Sequence, residues 1–108
     1  MDRIDIQLWL SPVDPKKLIE RGKAESSKEV ASRVMIAREI QRARFEAENM
    51  ELSPEKRIFC NAAMSNRQIE RYCPLNVECK TLLQRIIERH GLSARSCTRI
   101  IRLARTIA

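Results

Sequence analysis

Glycine is nearly absent from this sequence: 108 residues contain two, Gly22 and Gly91. A glycine-rich phosphate loop needs several close backbone approaches within one turn, so the chain cannot bind or hydrolyse a nucleotide alone by the usual loop-based routes. Histidine occurs once, at His90, which leaves no partner for a paired metal or acid–base arrangement. Its place just before Gly91 reads as a cationic side chain at the carbonyl end of a helix. The four cysteines, Cys60, Cys73, Cys79 and Cys97, are separated by twelve, five and seventeen residues. None forms the close pair typical of zinc and redox sites, so they read as reduced, small apolar side chains and no metal site is expected. No run approaches the ~20 apolar residues of a membrane span, and the basic region and apolar segment of a secretory signal are missing. The expectation is a cytoplasmic protein without membrane contact. At this length folding buries roughly two thirds of the unfolded chain's surface, enough for one domain with its own core and too little for a multidomain enzyme.

The remaining pattern is mostly helical. Residues 3–10 are the exception: Ile4, Ile6, Leu8 and Leu10 alternate with Arg3, Asp5, Gln7 and Trp9, the pattern of a half-buried strand. A lone strand leaves its backbone groups unpaired, which implies a sheet outside this sequence. The strand stands directly at Met1, and Ala108 falls in a helical pattern without a stop signal. Both features suggest a piece of a longer protein. Pro12 and Pro15 end the strand, Asp14 and Pro15 open a short helix, and Gly22 closes it. Ser26 with Glu29 fits a capping box for a long helix from about Ser27 to Glu46, with Val30, Val34, Ile36, Ala37, Ile40 and Ala43 on one broad face and Arg33 and Arg44 beside it. Residues 47–53 read as a loop, followed by Ser53 and Pro54 at the start of a short helix or turn. Ser65 with Gln68 caps a helix ending near Cys73, where Pro74 forbids continuation. A helix from about Val77 to His90 turns Cys79, Leu82, Leu83, Ile86 and Ile87 inward. Ser93 caps the last helix, whose stripe is Cys97, Ile100, Ile101, Ala104 and Ile107. The predicted fold is mainly α, a helical bundle behind one N-terminal β-strand.

The charge is concentrated. Of 21 basic and 14 acidic residues, the segment after Glu78 holds seven basic and one acidic, and thus most of the net +7. Arg95, Arg99 and Arg102 cluster within about 60° on the last helix, with Arg105 farther round. A solvated helix more often mixes signs. An unbalanced arginine stripe points to phosphates or an acidic surface, which guanidinium groups bind in bidentate fashion. Two readings follow. In one, the helix from Val77, the turn at Gly91 to Ser93 and the last helix form a helix-turn-helix that places its arginines on DNA. In the other, one or two of the arginines reach a nucleotide phosphate bound by another domain. The missing sheet favours the second.

The runs Asp2-Arg3-Ile4-Asp5-Ile6, Glu25-Ser26-Ser27, Arg33-Val34, Ala37-Arg38, Cys60-Asn61-Ala62, Tyr72-Cys73-Pro74-Leu75, Gly91-Leu92-Ser93-Ala94-Arg95 and Arg102-Leu103-Ala104-Arg105-Thr106-Ile107-Ala108 resemble, in order, the C-terminal part of the magnesium-chelatase-like AAA+ ATPases of the ComM (YifB) type. The resemblance implies that residues 1–12 are the last strand of an AAA+ core and a linker, and that 13–108 are the helical lid. It implies ATP and Mg2+ for the full-length parent, with no cofactor held by this portion, which alone would not be an enzyme. Arg3 resembles an arginine finger that reaches the neighbouring subunit's ATP site in trans; the residues themselves also allow an arginine paired with Asp2 or Asp5. Arg95 resembles the second sensor arginine of the lid, which touches the nucleotide phosphate of its own subunit. Arg99, Arg102 and Arg105 match no catalytic position and stand as candidates for a domain interface or DNA. The implied partners are the AAA+ core of the same chain, the neighbours in a hexamer, and DNA acted on by a branch-migration helicase in natural transformation. Metal insertion into a porphyrin is not implied, because nothing in the sequence resembles a tetrapyrrole or magnesium site.

Overall fold

The computed structural model describes residues 4–19 and 24–108. Among these residues, five α-helices and two 3-10 turns carry the chain, and the mainly α class expected from the sequence is the class observed. Helix α1 spans Pro15–Ile19 and starts at Asp14, whose side chain accepts from the backbone N–H of Lys16 at 3.1 Å. The expected stop at Gly22 lies outside the described residues. Helix α2 spans Ser27–Glu51 behind a complete capping box: Glu29 N–H donates to Ser26 Oγ and Ser26 N–H donates to the Glu29 carboxylate. The same reciprocal arrangement at Ser65 and Gln68 opens α3, Asn66–Tyr72. Asn76 caps α4, Val77–His90, through Cys79 N–H at 2.7 Å. Gly91 ends α4 with φ 59°, the left-handed conformation that glycine adopts without a Cβ clash. Ser93 then caps α5, Ala94–Ile107.

Three expectations need correction. Helix α2 runs to Glu51, through part of the segment read as a loop. Its last turns are polar yet pinned: Asn49 exchanges two hydrogen bonds with the backbone of Ile58, at 2.7 and 3.1 Å, and Glu48 accepts from the Tyr72 hydroxyl. The broad apolar face of α2 is largely solvent-exposed, with Val30, Val34, Ile36 and Ile40 all open, whereas the buried face is its C-terminal one at Phe45 and Asn49. On α4, Leu83, Ile86 and Ile87 are half-buried, but Cys79 and Leu82 face solvent. The alternating segment takes an irregular path over residues 4–10, with no ladder partner among the described residues.

The core is small and polar groups hold it together. Phe45, Met64, Ile69 and Cys73 are buried, with Ile58, Tyr72 and Ile101 packed around them. Tyr72 meets Phe45 edge to face with ring centroids 5.1 Å apart, the arrangement in which a positive ring edge meets a negative face. Asn61, in the 3-10 turn Asn61–Ala63, is fully buried. Its backbone N–H donates to Gln41 Oε1 at 2.8 Å and its Oδ1 accepts from Arg44 Nη1 at 2.6 Å, both on α2. Its Nδ2 donates to Thr106 Oγ1 on α5 at 3.1 Å. One side chain thereby joins the two helices across a separation of 45 residues. The radius of gyration, 18.3 Å, exceeds the ~13 Å of a compact chain this long, consistent with an α2 whose first half projects from the core.

Two predictions follow from the core. Asn61→Ala removes two side-chain hydrogen bonds and leaves a cavity, so it should cost about 2–4 kcal/mol in urea denaturation; a loss below roughly 0.5 kcal/mol would remove Asn61 from this role. The Tyr72 hydroxyl is pushed above its ordinary pKa, first by burial and then by its bond to Glu48. The folded state therefore favours the neutral phenol, and the associated stability is present below the unfolded pKa of about 10 and is lost as pH rises through the folded value. Because the chain has one tyrosine, its ultraviolet titration should have a folded midpoint above the denatured one, and Tyr72→Phe should flatten the alkaline fall in stability.

Candidate functional site

The basic face of α5 forms one wall of an open cleft. Ser93 accepts from Ser96 N–H and starts the helix, so Arg95 falls in its first turn and Arg99 and Arg102 follow on the same side. Together with Asp5, Ala62, Leu103 and Thr106, these three arginines line a cleft of about 480 Å³. Three of the four last-helix arginines singled out from the sequence therefore share one site. Arg105 faces a different groove, with Ile36, Ile40 and Arg44. There, burial and then repulsion from Arg105 lower the pKa of Arg44.

The three cleft arginines differ in what holds them. Arg102 Nη2 donates to the backbone carbonyl of Met64, a buried core residue, while its Nε is buried without a partner among the described residues. Arg102 thus ties α5 to the turn that carries Asn61. Arg99 Nε lies 2.9 Å from Asp5 Oδ1, with its side chain 23% exposed and that of Asp5 52% exposed. A partly exposed pair of this kind is worth about 0.2–1 kcal/mol. The Arg95 side chain has no hydrogen bond or ion pair among the described residues, so its full donor fork is available. The cleft therefore has one structural arginine, one tethered arginine and one open arginine. Such an arrangement can take a phosphate or carboxylate, whose oxygens match the guanidinium donors.

Arg3 lies outside the described residues. Asp5, two positions later, meets Arg99, a pairing for which the sequence carries no signal. Asn61 appears in the sequence only within a run of resemblance, and its buried bonding pattern has no periodic signal. No group of three or more His, Cys, Asp or Glu side chains that could hold a metal ion occurs among the described residues. His90 ends α4 beside Gly91. Cys73 alone of the cysteines is in the core; Cys97 is half-buried, and Cys60 and Cys79 are exposed. No helix among the described residues is long and apolar enough to cross a membrane.

A helical domain with a basic cleft at its last helix is the class that this geometry defines. Residues 24–108 match the family described as magnesium chelatase, subunit ChlI C-terminal, and the chain belongs to it. It is 33% identical over 110 residues to the uncharacterized protein YifB of Salmonella typhimurium and 31% identical over 109 residues to the competence protein ComM of Haemophilus influenzae. The YifB of Escherichia coli is 33% identical over 110 residues. Each alignment covers 100% of this chain and 19% of the relative, so the chain spans about a fifth of the length of these proteins. No solved structure matches.

The different anchoring of the arginines has a measurable consequence. Arg102→Ala, which frees the Met64 carbonyl, should lower the unfolding free energy by about 1–2 kcal/mol. Arg95→Ala should change it by less than about 0.5 kcal/mol, as for an unpartnered surface side chain. Equal losses in urea titrations would contradict this division of roles.

Proposed function

We propose that this chain is the lid domain of an AAA+ ATPase, with Arg95 as the residue that reads the nucleotide phosphate. The observation carrying this reading is that Arg95 sits in the cleft with no side-chain partner among the described residues while Arg99 and Arg102 are engaged. Family membership supports the coarser part, a C-terminal domain within a longer protein of the chelatase and ComM type. The residues fit the anionic end of a nucleotide: the cleft wall presents guanidinium groups, and the fork of Arg95 is open. A bound triphosphate would supply the phosphoryl bond that the parent cleaves. Arg95 binds and orients a terminal oxygen, holds charge that builds as the bond breaks, and loses its partner when the phosphate departs. Because Arg95 is rigidly carried by α5, that loss is communicated to the helix as movement of the lid. The Mg2+ ligands and the phosphate loop belong to the core domain proposed for the parent.

In this proposal residues 1–12 form the last strand and linker of that core and 13–108 the lid. Arg3 serves the neighbouring subunit's ATP site in trans, within a hexamer. DNA is the parent's substrate, as in a branch-migration motor of natural transformation, and the site of action is cytoplasmic. The portion described here is not itself an enzyme. The competing helix-turn-helix reading asks α5 to offer Arg99 and Arg102 to DNA. Arg102 already holds a core backbone carbonyl, and that weakens it.

In the full-length parent, Arg95→Ala should lower ATP turnover by two orders of magnitude or more with an intact fold; unchanged turnover would refute the sensor role. In parallel, this chain titrated with duplex DNA should bind weakly, whereas tight binding with a steep salt dependence would favour the helix-turn-helix reading.

A further inference from the structure

We propose that Arg99 is a second, latched phosphate ligand of the cleft, and that its exchange from Asp5 to a polyphosphate releases the N-terminal segment from α5. The inference rests on the sensor reading of Arg95 and adds a regulation to it. Arg99 follows Arg95 by four residues, so the two side chains are neighbours on one face of α5. Both line the same cleft, and the carboxylate that reaches into it is that of Asp5. Asp5 is therefore an internal anion at a site suited to an external one. Its neighbour Ile4, more than half exposed, lines an adjoining groove with Leu92, Ser96, Arg99, Ile100 and Leu103, so the segment lies along α5 beside the ion pair.

Magnitudes favour exchange. A partly exposed ion pair contributes no more than about fivefold to an equilibrium. A polyphosphate carries several charges and accepts bidentate bonds from a guanidinium, and with Arg95 it gains a second fork that the Asp5 carboxylate does not engage. Arg99 can thus pass from carboxylate to phosphate at little cost, and Asp5 then loses its tie to α5. Arg3 stands two positions before Asp5 in the sequence, so the latch links the segment of the proposed trans arginine to occupancy of the cis site.

The chain carries its own reporter. Trp9 is the sole tryptophan and is fully exposed on the segment. Inorganic tripolyphosphate is titrated at constant ionic strength, with affinity read by calorimetry and segment mobility by Trp9 fluorescence anisotropy. In the unaltered chain, saturable binding should lower the anisotropy. Asp5→Asn should lower it before any ligand is added and tighten binding up to about fivefold. Arg99→Ala should also free Trp9 but weaken binding roughly tenfold. The gain from Asp5→Asn should vanish in the Arg99→Ala background, which separates a specific latch from a general change in charge. Arg85→Ala, an exposed arginine on α4, controls for net charge and should change affinity less than twofold.

A gain that persists without Arg99, an unmoved Trp9 at saturation, or no saturable binding would overturn the latch. Arg95→Ala reports on the underlying reading. If it weakens binding while Asp5→Asn does nothing, the latch fails and the sensor stands. If Arg95→Ala is silent while the Arg99 and Asp5 variants behave as expected, the sensor role fails instead.

Discussion

Much of the fold depends on the burial of one amide. Asn61 is wholly removed from solvent, and an amide without partners in such a place would cost several kcal/mol. Gln41 and Arg44 of α2 and Thr106 of α5 supply those partners. Satisfying Asn61 therefore requires α2 and α5 to hold one relative position, because only there do a glutamine, an arginine and a threonine converge on one turn. Arg102 adds a second tie to the same turn through the Met64 carbonyl. With four buried apolar residues at the centre, such specific polar contacts carry a large share of the definition of the fold.

That constraint also organises the charge. The last helix brings four arginines to the domain with no acid of its own, a composition that invites self-repulsion. The fold disperses it: Arg102 is turned to a backbone carbonyl, Arg99 to Asp5, and Arg105 to the far groove beside Arg44. Arg95 is left without a side-chain partner among the described residues. A stripe that looks uniform along the helix is thus a graded set, and the grading comes from what each position meets across the helix interface.

The capping signals were legible because they are local. Ser26 with Glu29, Ser65 with Gln68, Ser93 and Gly91 act within a few residues of themselves, and each marks its helix end in the structure. The end of α2 was not legible for the opposite reason. Its burying face is written in polar residues, Gln41, Arg44, Glu48 and Asn49, whose hydrogen bonds lie 9 to 24 residues away, so apolar periodicity pointed to the exposed face instead. The arginine stripe could be found by spacing on one helix. Its division into structural, tethered and open members could not, since Asp5 and Met64 are distant in sequence and neither carries a signal toward α5.

The two ends of α5 are held by unequal means, and the inequality matters for what the helix can do. Near its C-terminus, Thr106 and Arg102 engage a buried amide and a core carbonyl, contacts that water cannot replace without exposing the core. About 16 Å from Thr106 along the axis, Arg95 follows the glycine turn at Gly91, and the half-exposed Arg99–Asp5 ion pair lies between the two. Helix backbone between them is continuous, so a force applied at the first turn is carried as tilt about the fixed end. Under the sensor role proposed for Arg95, a phosphate acts at the end that follows the glycine turn and not at the end tied to Asn61. That distribution suits the sensor role proposed for Arg95, because the tie to the buried Asn61 amide lies at the opposite end of the helix from the proposed ligand.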